Sequence, residues 1–252
     1  MDYQAGEKAR LAEVLFSIAS EDRLTLLAKI GEEKRRIRDL SKFIDATAQE
    51  CSRHVGRLVD SRLVRKDSSG FYEITSLGRA LTEILPSYDF LFSHKDYFSD
   101  HDPTVLPKGF LGRIGELSNG EFVGHFSEVL ELIKKVVSTG RDHVWLLSDK
   151  PLVVGLVIGQ SFSSKDIPVR LLGKDFGLAT ASKVRSALPN SELAVLADVK
   201  IALAINENLA GVCFPDLGRR IDFGAGFVGT DSNFIGWCSD LFEHYWQTSN
   251  RI

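Results

Sequence analysis

Thr47-Ala-Gln-Glu-Cys-Ser-Arg-His-Val-Gly-Arg-Leu-Val59 is the stretch on which the reading of the first third of this chain turns. Thr47 and Glu50 stand at the spacing of a capping box. The Thr hydroxyl can accept from the Glu50 amide, and the Glu carboxylate can accept from the Thr47 backbone N–H. The spacing predicts a helix from here to about Ser61. Cys51, Val55, Leu58 and Val59 recur on one face and predict its buried stripe. Gln49, Ser52, Arg53, Gly56 and Arg57 are left to face outward.

Upstream, Glu7 to Ala19 predicts a helix, with Leu11, Val14, Leu15 and Ile18 at helical spacing. Ser20-Glu21-Asp22 reads as an N-cap followed by first-turn acids. The next helix runs to about Gly31, with Leu24, Leu27 and Ile30 inward. A short helix from Ile37 to Phe43 and a turn at Asp45-Ala46 then lead into the capped helix. Downstream, Leu63 to Lys66 reads as a strand, Asp67 to Gly70 as a tight turn and Phe71 to Ile74 as the returning strand. Thr75 opens a helix from Ser76 to Leu85, and Pro86 is expected to end it.

A short helix joined by a tight turn to a second helix is a helix-turn-helix, and the hairpin after it is a wing. Arg suits guanine edges and Gln suits adenine, while Ser or Thr suits phosphate. The candidate DNA-facing residues are therefore Thr47, Gln49, Ser52, Arg53 and Arg57 on the helix, with Arg65, Lys66 and Ser68 on the wing. The expected partner is double-stranded DNA, bound by a homodimer. Its natural interface is the apolar faces of the helices Glu7–Ala19 and Ser76–Leu85.

Several pieces resemble the winged-helix pattern of ArsR-type and MarR-type regulators. They are Ile37-Arg-Asp-Leu-Ser-Lys-Phe-Ile44, Ser52-Arg-His-Val-Gly-Arg-Leu-Val59, Leu63-Val64 and Tyr72-Glu-Ile-Thr-Ser-Leu-Gly-Arg-Ala80. Further pieces resemble a group of archaeal regulators of methanogenesis and filament formation. These are His101-Asp-Pro-Thr-Val-Leu-Pro107, Phe110-Leu-Gly-Arg-Ile-Gly-Glu-Leu117, Asp231-Ser-Asn-Phe-Ile-Gly-Trp237 and Leu241-Phe-Glu-His-Tyr-Trp-Gln247. The closing pattern also resembles the TrmB sugar regulators, and that resemblance implies an effector domain related to the phospholipase D fold.

Bulk properties set limits without deciding. The chain has 252 residues, 44% hydrophobic and 26% charged, an ordinary globular balance. Basic residues number 31 against 34 acidic ones. Residues 1–85 hold 15 basic and 14 acidic residues, and residues 86–252 hold 16 and 20, so the tilt toward a DNA-facing first half is slight. Cys51, Cys213 and Cys238 show no ligand spacing, and Cys51 faces the helix core, which predicts packing rather than thiol sensing. No signal peptide or membrane span is read, and the expectation is a cytoplasmic protein.

The second half predicts strands at His143–Ser148, Ile167–Leu172, Leu193–Leu196, Val199–Ile205 and Gly211–Phe214. Helices are predicted at Phe110–Leu117, Val123–Ser138, Pro151–Gln160, Ala179–Leu188 and Ser232–Gln247. The fold class is thus α+β and α/β: a winged helix-turn-helix followed by an α/β domain with a helix-covered mixed sheet. The expected divisions are residues 1–86, a helical linker region over 87–140, and an effector or dimerisation domain over 141–252.

No catalytic set or resident cofactor is read. Phospholipase D-type chemistry needs His-x-Lys, and none of the six histidines has a Lys two residues on; Asp198-Val-Lys200 has Asp in the His position. Gly224-Ala-Gly-Phe-Val-Gly229 matches a dinucleotide fingerprint, but its polar flanks read as a turn or hairpin. His94, Asp96, Asp100, His101 and Asp102 resemble metal ligands in spacing only, and solvated or capping roles are expected. An unknown small-molecule effector is expected beyond the carboxyl ends of the strands, at Ser148, Asp149 and Lys150 with Asp198 and Lys200 as neighbours. Capping of the following helix by Ser148 and Asp149 is the equal alternative. The alternative is a phosphodiesterase-type or nucleotide-binding enzyme tethered to a winged-helix docking module.

Overall fold

The computed structural model describes residues 5–149 and 167–252, which fall into two compact units divided after Leu85. The expected helix Pro151–Gln160 lies outside the described residues.

The first unit runs α1 (Ala5–Ile18), α2 (Glu21–Glu32), α3 (Ile37–Leu40), α4 (Ala48–Asp60), β1 (Val64–Lys66) and β2 (Tyr72–Ile74). A 3-10 turn, Ser41–Phe43, prolongs α3. It is a winged helix-turn-helix, with α3 and α4 as the paired helices and β1–β2 as an antiparallel wing. Its core joins Leu26, Leu27 and Ile30 of α2 to Leu40, Cys51, Val55 and Leu58, closed from the wing side by Leu63, Val64 and Ile74. Leu24, expected inward, is exposed; the buried stripe of α2 passes through Leu26 instead. Ser20 holds the N-cap position of α2 but makes no side-chain cap bond. The buried Arg23 bonds the Ser17 and Phe16 carbonyls at 2.7 and 3.0 Å, satisfying orphan acceptors at the end of α1.

The Thr-Ser-Leu-Gly exit of the wing has a physical reason. Thr75 Oγ1 accepts from the Gly78 amide at 3.0 Å and donates to the Arg62 carbonyl at 2.7 Å, fastening the next helix to the end of α4. A Cβ on Gly78 would lie 2.2 Å from the Leu63 carbonyl oxygen, so the close approach admits only glycine. That next helix, α5 (Ser76–Ser93), does not end at Pro86 as expected; it runs on with the proline inside it. Proline removes one helical donor, yet apolar residues beyond it favour continuation: Phe90 is 1% exposed in the core of the second unit.

The second unit continues through α6 (Lys95–Asp100), α7 (Lys108–Gly112), β3 (Glu121–Val123), α8 (Phe126–Thr139), β4 (Val144–Ser148), β5 (Val169–Gly173), α9 (Gly177–Ala187), β6 (Ser191–Val195), β7 (Ala202–Asn206), β8 (Ala210–Cys213), β9 (Gly226–Gly229), α10 (Ser232–Gln247) and β10 (Asn250–Arg251). Residues 87–140, expected as a linker region, supply Phe90, Tyr97, Leu106, Ile114 and Val136 to the same core as the sheet. Their apolar content buries them there.

One sheet has the order β10-β6-β5-β4-β7-β8-β9-β3. Strands β4, β5 and β6 are parallel and the other pairings antiparallel, so the sheet is mixed. Helices α8 and α10 both pack on β7, every residue of which is buried, so both faces are covered.

Candidate nucleic-acid interface

The capping box at the start of α4 is complete. Thr47 Oγ1 accepts from the Glu50 amide at 3.2 Å, and Glu50 Oε2 accepts from the Thr47 amide at 3.0 Å and its hydroxyl at 2.8 Å. Those bonds, the hydroxyl's first, hold the Glu50 carboxyl below the usual range. Thr47 is thereby committed to shaping the helix end, and its hydroxyl proton is already donated.

Beyond that end, Gln49, Ser52 and Arg53 are exposed, and their side chains make no hydrogen bond or ion pair among the described residues. At 100° per residue they fall on one side of α4, opposite Cys51, Val55 and Leu58. Arg57 is exposed at the margin of this face, its guanidinium 5.6 Å from the centroid of the Phe16 ring. It is thus placed beside α1.

The wing is more constrained than its composition suggests. Arg65 donates to Glu73 across the hairpin at 2.6 Å, and Lys66 lies 5.6 Å from the Tyr72 ring centroid. Ser68 is exposed at the tip. Asp67 builds the turn by accepting from the Phe71 and Ser69 amides at 2.8 and 2.9 Å, and the Phe71 bond is the chief reason its carboxyl is held low.

Two basic residues at the wing escaped the sequence reading. Lys34 and Arg36 flank the Phe71 ring at 5.3 and 4.5 Å, and Arg36 also donates to the Ser69 carbonyl at 3.3 Å. They are brought there by Arg35, whose backbone exchanges hydrogen bonds with Tyr72 at 3.0 and 2.7 Å and bridges a third segment to the wing. The run Lys34-Arg35-Arg36 was a visible signal, but its pairing with the hairpin was not.

The five residues suggested for an effector do not form one pocket among the described residues. Ser148, at the carboxyl end of β4, lines an apolar cavity against α8 with Leu132, Leu203 and Cys213. Asp198 and Lys200 form a 3.5 Å ion pair lining a separate polar cleft with Asp102, Thr104 and Arg219. Asp149 follows β4, and Lys150 lies outside the described residues. The split follows from the sheet: Ser148 faces α8, whereas Asp198 and Lys200 precede β7 and meet the 102–105 loop.

The remaining motifs are absorbed by structure. Gly226–Gly229 is strand β9, paired with β8 and β3, and a Cβ on Gly229 would fall 2.4 Å from the Phe234 ring. His101 is buried, with Nδ1 2.8 Å from the Tyr97 carbonyl and Nε2 3.0 Å from Asp222. Among the described residues no group of three or more His, Cys, Asp or Glu could hold a metal ion, and no helix is long and apolar enough to cross a membrane.

A winged helix-turn-helix joined to an α/β unit with a mixed sheet is the class of molecule these features define. No protein-family profile matches the chain. The methanogenesis regulatory protein FilR1 of Methanothrix harundinacea (strain 6Ac) is 21% identical over 265 residues, covering 98% of this chain and 59% of its own. The chain therefore spans about three-fifths of the length of the curated relative it matches. Among solved structures, TrmBL2, an archaeal chromatin protein, aligns with 97% of this chain and 100% of its own at 12% identity and a TM-score of 0.39. Reduced HlyU from Vibrio cholerae N16961 aligns with 32% of this chain and 88% of its own at 25% identity and a TM-score of 0.29.

Proposed function

We propose that the chain is a DNA-binding transcriptional regulator that acts as a homodimer, with α4 as the recognition helix and the second unit as a non-catalytic effector-sensing domain. The observation that carries this reading is the exposed face of α4. The side chains of Gln49, Ser52 and Arg53 have no hydrogen-bond partners among the described residues, so their donors and acceptors are available to base edges and phosphates. The similarity to a methanogenesis regulatory protein, which covers 98% of this chain and 59% of that protein, supports a regulatory role.

In this reading α4 enters the major groove. Lys66, Ser68, Lys34 and Arg36 approach the backbone, while Thr47 sets the helix end. Leu11, Leu15 and Phe16 of α1, with Leu77 and Ile84 of α5, are exposed and apolar and would cover one another between two copies. An effector acts by binding the DNA-competent and DNA-incompetent dimers with different affinity.

The test is a fluorescence titration of DNA from the upstream region of the protein's own gene at two salt concentrations. The reading expects binding that weakens steeply with salt, because Lys and Arg displace counterions from phosphates. Absence of binding at low salt contradicts it. Sedimentation as a monomer at micromolar concentration contradicts the dimer.

A further inference from the structure

The polar cleft of the second unit is lined by Asp102, Thr104, Val105, Asp198, Lys200, Pro215 and Arg219 and encloses about 130 Å³. Its position follows from strand direction. Strands β4, β5 and β6 run parallel, and β7 returns antiparallel to β4 with Leu203 opposite Leu147. Asp198 and Lys200, just before β7, therefore lie at the carboxyl edge of the parallel strands, where ligands of open α/β sheets bind.

The walls are braced. The Asp102 amide donates to the Pro215 carbonyl at 3.0 Å, the Leu217 amide to the Asp100 carbonyl at 3.2 Å, and His101 meets Asp222 at 3.0 Å. Two cations and two carboxylates line this frame. Lys200 is held loosely by Asp198 at 3.5 Å. Arg219 forms no ion pair among the described residues, although its neighbour Arg220 is paired with Asp216 at 3.0 Å. Asp102 Oδ1 accepts from the Thr104 amide at 2.9 Å and from its hydroxyl, which leaves Oδ2 for another donor.

We propose that this cleft binds a small hydroxylated organic anion: a carboxylate or phosphate group held between Arg219 and Lys200, with hydroxyl groups donating to Asp102 and Asp198. Guanidinium supplies a planar fork for either acidic group, and ammonium a point charge. The carboxylates select a hydroxylated body over a bare inorganic ion. The proposal supplies the ligand class for the sensing unit and rests on the regulator reading for its biological consequence, not for the binding itself.

Calorimetry on the full chain with glycerol 3-phosphate, glycerate, glycerol and inorganic phosphate tests it. Glycerol 3-phosphate or glycerate is expected to bind, and glycerol is not. Arg219→Asn should weaken the anion at least tenfold. Asn suits this position because Arg219 sits at φ +63, which Asn tolerates. Lys200→Gln is the second variant, should the first fail to give a wild-type unfolding transition. No heat with either organic anion, unchanged affinity in both variants, or phosphate binding as tightly as glycerol 3-phosphate would overturn the proposal. Failure of the regulator reading is seen separately, as wild-type protein that binds the anion but no DNA.

Discussion

Arg65 and Glu73 face each other across the wing, with Arg65 Nε donating to Glu73 Oε1 at 2.6 Å. The pair is solvent-exposed, so it adds little to stability. Its consequence is for binding: Arg65 must leave Glu73 to meet a phosphate. Glu73→Gln should therefore tighten DNA and steepen its salt dependence by about one counterion, while Arg65→Ala should change affinity little. Affinity of Glu73→Gln equal to or below wild type at every salt concentration contradicts this.

Arg53 makes no such ion pair among the described residues. Arg53→Ala is expected to cost about 1–3 kcal/mol on the specific site, as loss of a base contact does, and less on unrelated DNA. An equal loss on both sequences would make Arg53 a phosphate contact instead.

Thr47→Ala breaks the capping box and should lower stability by about 0.5–2 kcal/mol in urea unfolding. Thr47→Ser should restore most of it. Gly78→Ala should do more damage than its size suggests. The added methyl meets the Leu63 carbonyl oxygen, part of the backbone, so the end of α4 and the start of α5 must part, at about 1–3 kcal/mol. An unfolding midpoint for Gly78→Ala at or above wild type would show that the junction gives way freely.

Burial pushes the Cys51 thiol up to about 11 and the Cys213 thiol up to about 12, with Asp222 adding to the latter, and Cys238 also lies well above the usual thiol range. Thiolate is the reactive form. All three should resist a thiol reagent at pH 8 in the native protein and react once it is unfolded. Fast labelling of native protein at Cys51 would reopen a redox role.

His143 is held below its ordinary value of 6.5, chiefly by burial and opposed by Glu207 and Asp142. The unfolded chain then binds the proton more readily than the folded one. The contribution of His143 to stability is fully present above about pH 6.5 and is lost as the pH falls from there through the lower folded-state value. His143→Gln should flatten the stability profile between pH 7 and 5; an unchanged slope assigns the acid sensitivity to other groups.

Much of the first unit was legible because its signals are local. The box at Thr47 and Glu50, the stripe Cys51-Val55-Leu58 and the turn at Asp67 each lie within a few residues, and the exposed face of α4 followed from periodicity alone. The long helix Ser232–Gln247 was legible for the same reason. What escaped depends on distant partners. Arg35 pairs with Tyr72, β3 and β10 are three and two residues long and defined only by their neighbours, and Pro86 is carried within a helix whose next turns bury Phe90. The site was legible as residue types on a face. That Arg65 is engaged, that Lys34 and Arg36 reach the wing, and that Arg219 and Asp102 share a cleft with Lys200 are contacts between segments far apart in the chain.

The central claim, that α4 reads the major groove, is tested most directly by guanine N7 methylation interference on the bound site. Interference is expected in two patches about 10 base pairs apart, one per recognition helix, with one contact in each lost in Arg53→Ala. Binding without N7 interference, or a pattern unchanged by Arg53→Ala, would contradict it.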